Sequence, residues 1–467
     1  MMLQIQKKLN YSLNSLSKTV ITKSLVAIFA TGLFGVNSLG KELSIEKNKS
    51  LLLKPIAGLS DEEYDTFILG RSFFKIPWVE APSATTARDG LGPLFNANTC
   101  NSCHPNNGRG NLYNKNKQID RSLIAKVSIK SDESELHKEL IKINGLVPEP
   151  TYGGQISINA IHGVKYEAKP EISYEKIEVK FPNGEIDTIY KPTYSLKELA
   201  YGKLHKDSIL TFRLAPSLNG LGLIEEISNE DILKNVDEFD KNKDGISGRA
   251  NFVYSPITKK IELGKYSWKA STTTLKHQAA AAANNDMGLT TSIFPNDTCT
   301  KAQKTCNEAP KARDAIDITD LRLDAIDFYL KKRKTYSAKR SKEYKEGLKI
   351  FKQIGCAKCH IDSFTTKNGL KIAPFTDMLL HDMGEGLADG RSEFLATGNE
   401  WRTAPLWGLA LHKKINKKNP RLLHDGRAKD FQEAILWHGG EAQEIKENYM
   451  NLGKEKREQV IKFLGEL

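Results

Sequence analysis

The stretches "NTCNSCH" (Asn98–His104) and "IGCAKCH" (Ile354–His360) share one five-residue pattern, Cys-x-x-Cys-His, and together use four of the chain's six cysteines. Three chemistries draw on such a pattern. A structural zinc site needs four ligands, usually two Cys pairs, but no His directly after the second Cys. A thioredoxin-like redox pair needs one Cys-x-x-Cys and no His. Covalent haem needs all three residues. Two thiols add across the two vinyl groups, two intervening residues set their separation, and the adjacent His falls beneath the iron. Two copies therefore point to two covalently bound haem c groups. One is attached to Cys100 and Cys103 with His104 as axial ligand, the other to Cys356 and Cys359 with His360.

The flanks agree. "YKEGLKIFKQIGCAKCH" puts Gly347 and Phe351 one helical turn apart on a helix ahead of the second motif. The glycine admits a second helix at close range and the phenylalanine covers a haem edge. Phe95 stands ahead of the first motif in the same way. The remaining cysteines, Cys299 and Cys306 in "DTCTKAQKTC", are expected to form a disulfide in an oxidising compartment.

The chain has 467 residues, 27% charged and 39% hydrophobic, a composition of soluble globular domains with room for two or three of them. The net charge is +12, with lysines scattered along the whole length rather than gathered into an arm. That argues against a nucleic-acid partner and fits either a soluble basic surface or docking to an acidic protein. Lys7, Lys8, Lys18 and Lys23 precede the apolar run "SLVAIFATGLFGVNSLG" (Ser24–Gly40). A basic region before a short apolar run reads as a signal peptide, or as an uncleaved N-terminal anchor, which would be the one membrane attachment. The expected location is the periplasm.

The chain also repeats itself. "RLAPSLNGLGL" (Arg213–Leu223) and "RTAPLWGLAL" (Arg402–Leu411) both read Arg-x-Ala-Pro and then Gly-Leu-x-Leu. A segment beginning at Trp268 follows the first and one beginning at His424 follows the second. The reading is a mainly α protein of two cytochrome c-like haem domains, residues 41–338 and 339–467 after a leader of 1–40. Alternating runs between residues 121 and 200, joined by a Pro-Asn-Gly turn, mark a β-rich insertion in the first domain. In "DKNKDGISGRAN", Asp240, Asn242 and Asp244 recur at the spacing of a calcium loop, but Asn251 replaces the twelfth-position Glu. Both calcium and a plain Asp/Asn/Gly turn stay open.

Over roughly residues 60–467 the phrases "FNANTCNSCHPNNGRG", "LAPSLNGLGLIEE", "NNDMGLT", "TDMLLHDMGEGLADG" and "LLHDGRAKDFQEAILWHGGEA" resemble the bacterial di-haem cytochrome c peroxidase family. They are most similar to its di-haem oxidoreductase branch, also called thiol oxidoreductase. The resemblance implies a Trp between the two haems, here Trp268. It also implies a Gln and an acid at the peroxide pocket, here Gln278 and Asp286, the acid lying two residues early and shortened from Glu. Where the family has a Met ligand before His-Asp-Gly, Leu423 stands, and leucine cannot bind iron. Met383, His381 and Met378 are then the candidate sixth ligands, Met383 first. Glu225 and Glu226 are reserve acids, and Arg213, Arg402 and Arg427 are candidate propionate partners.

The activity so implied is reduction of hydrogen peroxide at the His104 haem, with electrons from a small donor protein, a cytochrome or cupredoxin, entering at the His360 haem. Two other readings stay open: a di-haem electron carrier without a reactive pocket, and a thiol- or sulfur-oxidising enzyme.

Overall fold

The computed structural model describes residues 51–336, 340–415 and 421–467. The leader of 1–40 and the expected boundary between 338 and 339 lie outside the described residues.

The helix Lys342–Gln353 starts at Ser341, whose Oγ accepts the Tyr344 N–H at 3.1 Å. Tyr344, Gly347, Ile350 and Phe351 are buried along one stripe. That stripe packs against the C-terminal helix Lys454–Leu464, which offers Val460, Phe463 and Leu464. At the crossing, a Cβ on Gly347 would lie 2.4 Å from Gln459 O and 2.5 Å from Phe463 Cβ. Only glycine lets the two backbones approach so closely. The expected role of this glycine holds, and Phe351 lies 5.1 Å from Phe463 and 6.3 Å from the His360 ring.

The same device recurs in the first half. The helix Asp61–Lys75 opens on a capping box made by Ser60 and Glu63. It crosses the helix Asp320–Lys331 at Gly70, where a Cβ would fall 1.8 Å from Ala325 O. Phe67 and Phe74 pack on Tyr329 at 5.0 and 5.4 Å. Gly70 and Phe74 have the spacing of Gly347 and Phe351. Phe95, expected to serve here, instead pairs with Asn159 in a two-residue strand.

The chain is not mainly α. Of the described residues 30% are helical and 21% strand or bridge, in seven two-stranded sheets. The excess strand has a physical origin in the insertion. Leu123–Ile129 pairs with Ser208–Leu214, burying Leu123, Val127, Phe212 and Leu214 in a core of their own. Lys169–Lys180 pairs with Ile186–Lys197 along its full length, around the expected Pro182-Asn183-Gly184 turn, with Gly184 at φ 85°.

This hairpin is more than an ornament on the first half. Phe181 and Ile189 enter the apolar cluster built by Phe351, Phe463 and Trp437. Tyr190 N–H donates to Glu433 at 2.9 Å, and Tyr194 OH donates to Asp425 Oδ2 at 2.6 Å. The insertion therefore clasps the chain that follows the second motif. No described helix is long and apolar enough to cross a membrane.

Candidate functional site

Cys100–Cys103 form a single helical turn capped by Thr99, whose Oγ1 accepts the Ser102 N–H at 2.9 Å. This turn leaves His104 at its end. The His104 Nδ1–H donates to Pro216 O at 2.9 Å, and the His360 Nδ1–H donates to Phe375 O at 2.9 Å. A backbone carbonyl on Nδ1 fixes the tautomer and leaves Nε2 as the free, lone-pair-bearing atom. Burial lowers both imidazoles to about 4, so both are neutral. Pro216 belongs to the first Arg-x-Ala-Pro phrase. Phe375 does not belong to the second, so the repeat does not extend to this hydrogen bond.

None of the four motif cysteines is paired in a disulfide. Burial pushes the Cys100 and Cys356 thiols up to about 12. Nor do the two pairs pool. Among the described residues, the grouped metal-ligating side chains are Cys359, Asp377 and His381. Cys299 and Cys306 are joined in the expected disulfide, with their Cα atoms 5.8 Å apart.

Both motifs open on one cavity of about 1060 Å³. That reaches the upper end of the range for a single small-ligand site. One wall is the helix Leu275–Met287, opened by Thr274, whose side chain accepts from His277 N–H. Gln278, Ala282 and Asp286 share a face at intervals of one turn, and all three line the cavity. The alanine run 279–283 keeps that wall low and flat.

Asp286 Oδ1 accepts from Gln155 Nε2 at 2.8 Å. Burial raises its carboxyl above the usual range, against the pull of Lys126 and Gln155. Lys126 lines the same cavity and is lowered to about 8, chiefly by burial. Gln278 Oε1 accepts from Thr272 Oγ1 at 2.8 Å. Trp268 sits where the halves meet. Its indole N–H donates to Leu214 O at 3.0 Å, and its carbonyl accepts from Arg402 N–H at 3.0 Å. It is thereby tied to both Arg-x-Ala-Pro phrases.

The family model described as "Di-haem oxidoreductase, putative peroxidase" matches residues 40–467. The chain belongs to this family. No curated protein matches it. A solved structure of Kuenenia stuttgartiensis hydrazine synthase aligns at 11% identity over 91% of this chain and 92% of that one. Its TM-score of 0.34 carries no argument.

The residues of this di-haem oxidoreductase fit its two haems. Paired thiols and carbonyl-oriented imidazoles face one apolar-walled cavity, which the half-buried Arg402 also lines. Arg402 donates to Ser267 O, Thr403 O and Met378 Sδ, and no described carboxylate lies within salt-bridge distance. Burial lowers its guanidinium to about 10. A haem propionate is the anion such a group lacks. The other two expected propionate partners are already engaged. Arg213 pairs with Asp389 at 2.6 Å and Glu393 at 3.0 Å, and Arg427 with Asp425 at 2.7 Å.

The sixth-ligand candidates also sort themselves. His381 is clamped on both nitrogens, Nε2 by Asp377 at 2.7 Å and Nδ1 by Glu441 at 2.8 Å. The Met378 sulfur takes the Arg402 contact. Met383 lines the cavity. So does His438. Its Nδ1–H donates to Ala434 O at 2.7 Å, the same arrangement that orients His104 and His360. The available signal was its place one helical turn past Ala434, at the end of "FQEAILWH".

The candidate calcium loop is held by hydrogen bonds of its own. Asp240 accepts from Asp244 N–H and Gly245 N–H, Asn242 from Asp244 N–H, and Asp244 from Ile246 N–H. Lys358 Nζ sits 3.4 Å from Asp244 Oδ2, supplying the positive charge itself. Through Lys358, whose Nζ also donates to Asp244 O at 3.0 Å, the loop contacts the second motif.

Proposed function

We propose that this di-haem oxidoreductase reduces hydrogen peroxide on the His104 side of its cavity and takes electrons on the His360 side from a small donor protein. The observation that carries the reading is the single cavity. It brings both motifs, Trp268, and the Gln278–Asp286 face together. When bound, the haems supply the iron that receives peroxide and the redox equivalents that reduce it.

The chain's own residues do the rest. Asp286 Oδ1 is held by Gln155, which leaves Oδ2 to take a proton from the inner peroxide oxygen and return it to the outer one. A carboxyl raised by burial holds that proton more readily. Gln278 orients the peroxide through its amide. Trp268 spans the two halves as the electron relay. His438, with Met383 as the alternative at that wall, would be the second residue to hold the His360-side haem, and Arg402 would hold a propionate. The basic surface, at +12, suits an acidic donor. Export to the periplasm is supported by the Cys299–Cys306 bridge and by the leader's composition.

The test is EPR and magnetic circular dichroism of the protein with both haems attached, followed by peroxide turnover with a reduced donor. One high-spin and one low-spin ferric haem, with turnover, is the expected result. Two low-spin haems inert to peroxide would instead indicate an electron carrier. Reduction by thiols in the absence of peroxide would indicate sulfur oxidation.

A further inference from the structure

Three of the Trp and Tyr rings that line the cavity, Trp268, Trp401 and Tyr266, differ in what surrounds them. Trp268 has the Arg109 guanidinium 5.2 Å from its ring centre. Trp401 has Arg213 at 4.8 Å and Lys269 at 4.5 Å, and its ring stacks on His424 at 3.7 Å. Both indole N–H groups donate to backbone carbonyls, Leu214 O and Leu387 O, which are too weakly basic to take a proton. Oxidising either indole would leave a cation radical beside a fixed positive charge. The cations that stabilise a neutral ring destabilise that product.

Tyr266 is the opposite case. It is buried, at 4% exposure, lines the same cavity two residues from Trp268, and donates its hydroxyl to Glu225 Oε2 at 2.5 Å. Glu225 is held in place from two other sides. Leu275 N–H reaches Oε2 at 3.3 Å, and Lys331 Nζ lies 3.4 Å from Oε1. Lys331 in turn pairs with Asp327 at 2.7 Å, on a helix whose outer face meets solvent. A chain of proton-bearing groups therefore runs from the cavity toward the surface.

We propose that Tyr266 is a redox-active tyrosine of this site, with Glu225 as its proton acceptor. The inference rests on the peroxidase reading for its oxidant, the oxidising equivalents that peroxide leaves in the cavity. The phenol gives up one electron to such an equivalent and its O–H proton to Glu225 Oε2. The products are a neutral tyrosyl radical and a neutral carboxylic acid, so no charge is created inside the protein. One electron from the donor and the same proton, returned by Glu225, restore the phenol. Trp268 then passes charge only transiently, and the oxidising equivalent comes to rest on Tyr266. Burial and the Glu225 carboxylate also raise the phenol well above its ordinary range, so it stays protonated until it is oxidised.

The experiment is freeze-quench EPR of the protein with both haems attached, after addition of hydrogen peroxide. It is run with ordinary and ring-deuterated tyrosine, in wild type, Tyr266→Phe and Glu225→Gln. The expected result is a radical signal that narrows with deuterated tyrosine and is lost in Tyr266→Phe, while both haems keep their resting spectra. In Glu225→Gln the radical should form about 10²-fold more slowly, the acceptor being gone. A tyrosyl signal that survives in Tyr266→Phe overturns the inference. So does an indole signal alone, or oxidised haems with no protein radical. If peroxide leaves the haem spectra unchanged, it is the peroxidase reading that falls. Flash oxidation with photoexcited ruthenium tris(bipyridine) and persulfate then decides for Tyr266. A wild-type signal missing from Tyr266→Phe upholds the inference, and identical signals overturn it.

Discussion

Asp286 and His438 show what single residues contribute. Asp286 must be ionised to take a proton from peroxide, and burial raises its pKa. Peroxide turnover should therefore rise with pH through that raised value, later than an ordinary aspartate would allow. Asp286→Asn should lose about 10²-fold or more in kcat and lose that rising limb, while Asp286→Glu keeps part of both. A pH–rate profile with unchanged haem spectra checks this, and an unaltered limb in Asp286→Asn would remove the residue from the mechanism. His438 has its Nδ1 engaged by Ala434 O and lines the cavity. His438→Ala should convert the low-spin haem to high spin, whereas Met383→Leu should leave it low spin. Low-temperature EPR separates the two, and the reverse outcome would return the ligand to Met383.

Each half has a helix crossing at a glycine, and the sequence disclosed only one of them. Gly347 and Phe351 stand directly before "CAKCH", so their role could be read at once. Gly70 and Phe74 repeat that spacing, but a long loop separates them from "CNSCH", and the reading settled on Phe95 instead. The expectation of a mainly α chain failed for a related reason. Its helices carry the recognisable motifs, while most strands are only two to four residues long and pair in isolated twos, two of these pairs joining distant stretches, as Leu123–Ile129 does with Ser208–Leu214. Local periodicity can propose a strand but cannot name its partner. The two Cys-x-x-Cys-His motifs stood out in the sequence because covalent attachment would dictate their spacing. The Arg213 and Arg427 partners were not, because burial against Asp389, Glu393 and Asp425 is a property of the fold. At the crossings, Gly347→Ala should cost about 1–3 kcal/mol, since its Cβ would meet Gln459 O and the Phe463 side chain. Gly70→Ala should cost more, its Cβ meeting the Ala325 backbone at 1.8 Å. Denaturant unfolding of both variants measures the difference, and equal losses would contradict the tighter contact at Gly70.

Across the whole molecule, the two halves are held by buried charge as well as by apolar surface. Arg213, on the strand Ser208–Leu214, reaches Asp389 and Glu393 on the far side of the second motif. Asp425 accepts from Tyr194 of the inserted hairpin and from Arg427, so one carboxylate ties the insertion to the chain after the second haem motif. Burial alone would raise Asp425, but Arg427, His424 and the Tyr194 hydroxyl overcome it and hold the carboxyl at about 2. A depressed folded-state pKa stabilises the fold above the unfolded value of about 4, and that contribution is lost as pH falls toward the folded one. Asp425→Asn should therefore destabilise the protein by about 3–5 kcal/mol near neutral pH, where it leaves Arg427 buried and unpaired. The deficit should shrink as pH drops below 4 and wild type protonates the same group. Unfolding both proteins in urea at pH 7, 4 and 3 reads the gap directly. A gap that stays constant would mean the Asp425 charge does not join the halves, and that the Tyr194 contact and the Phe181–Ile189 packing carry the clasp alone.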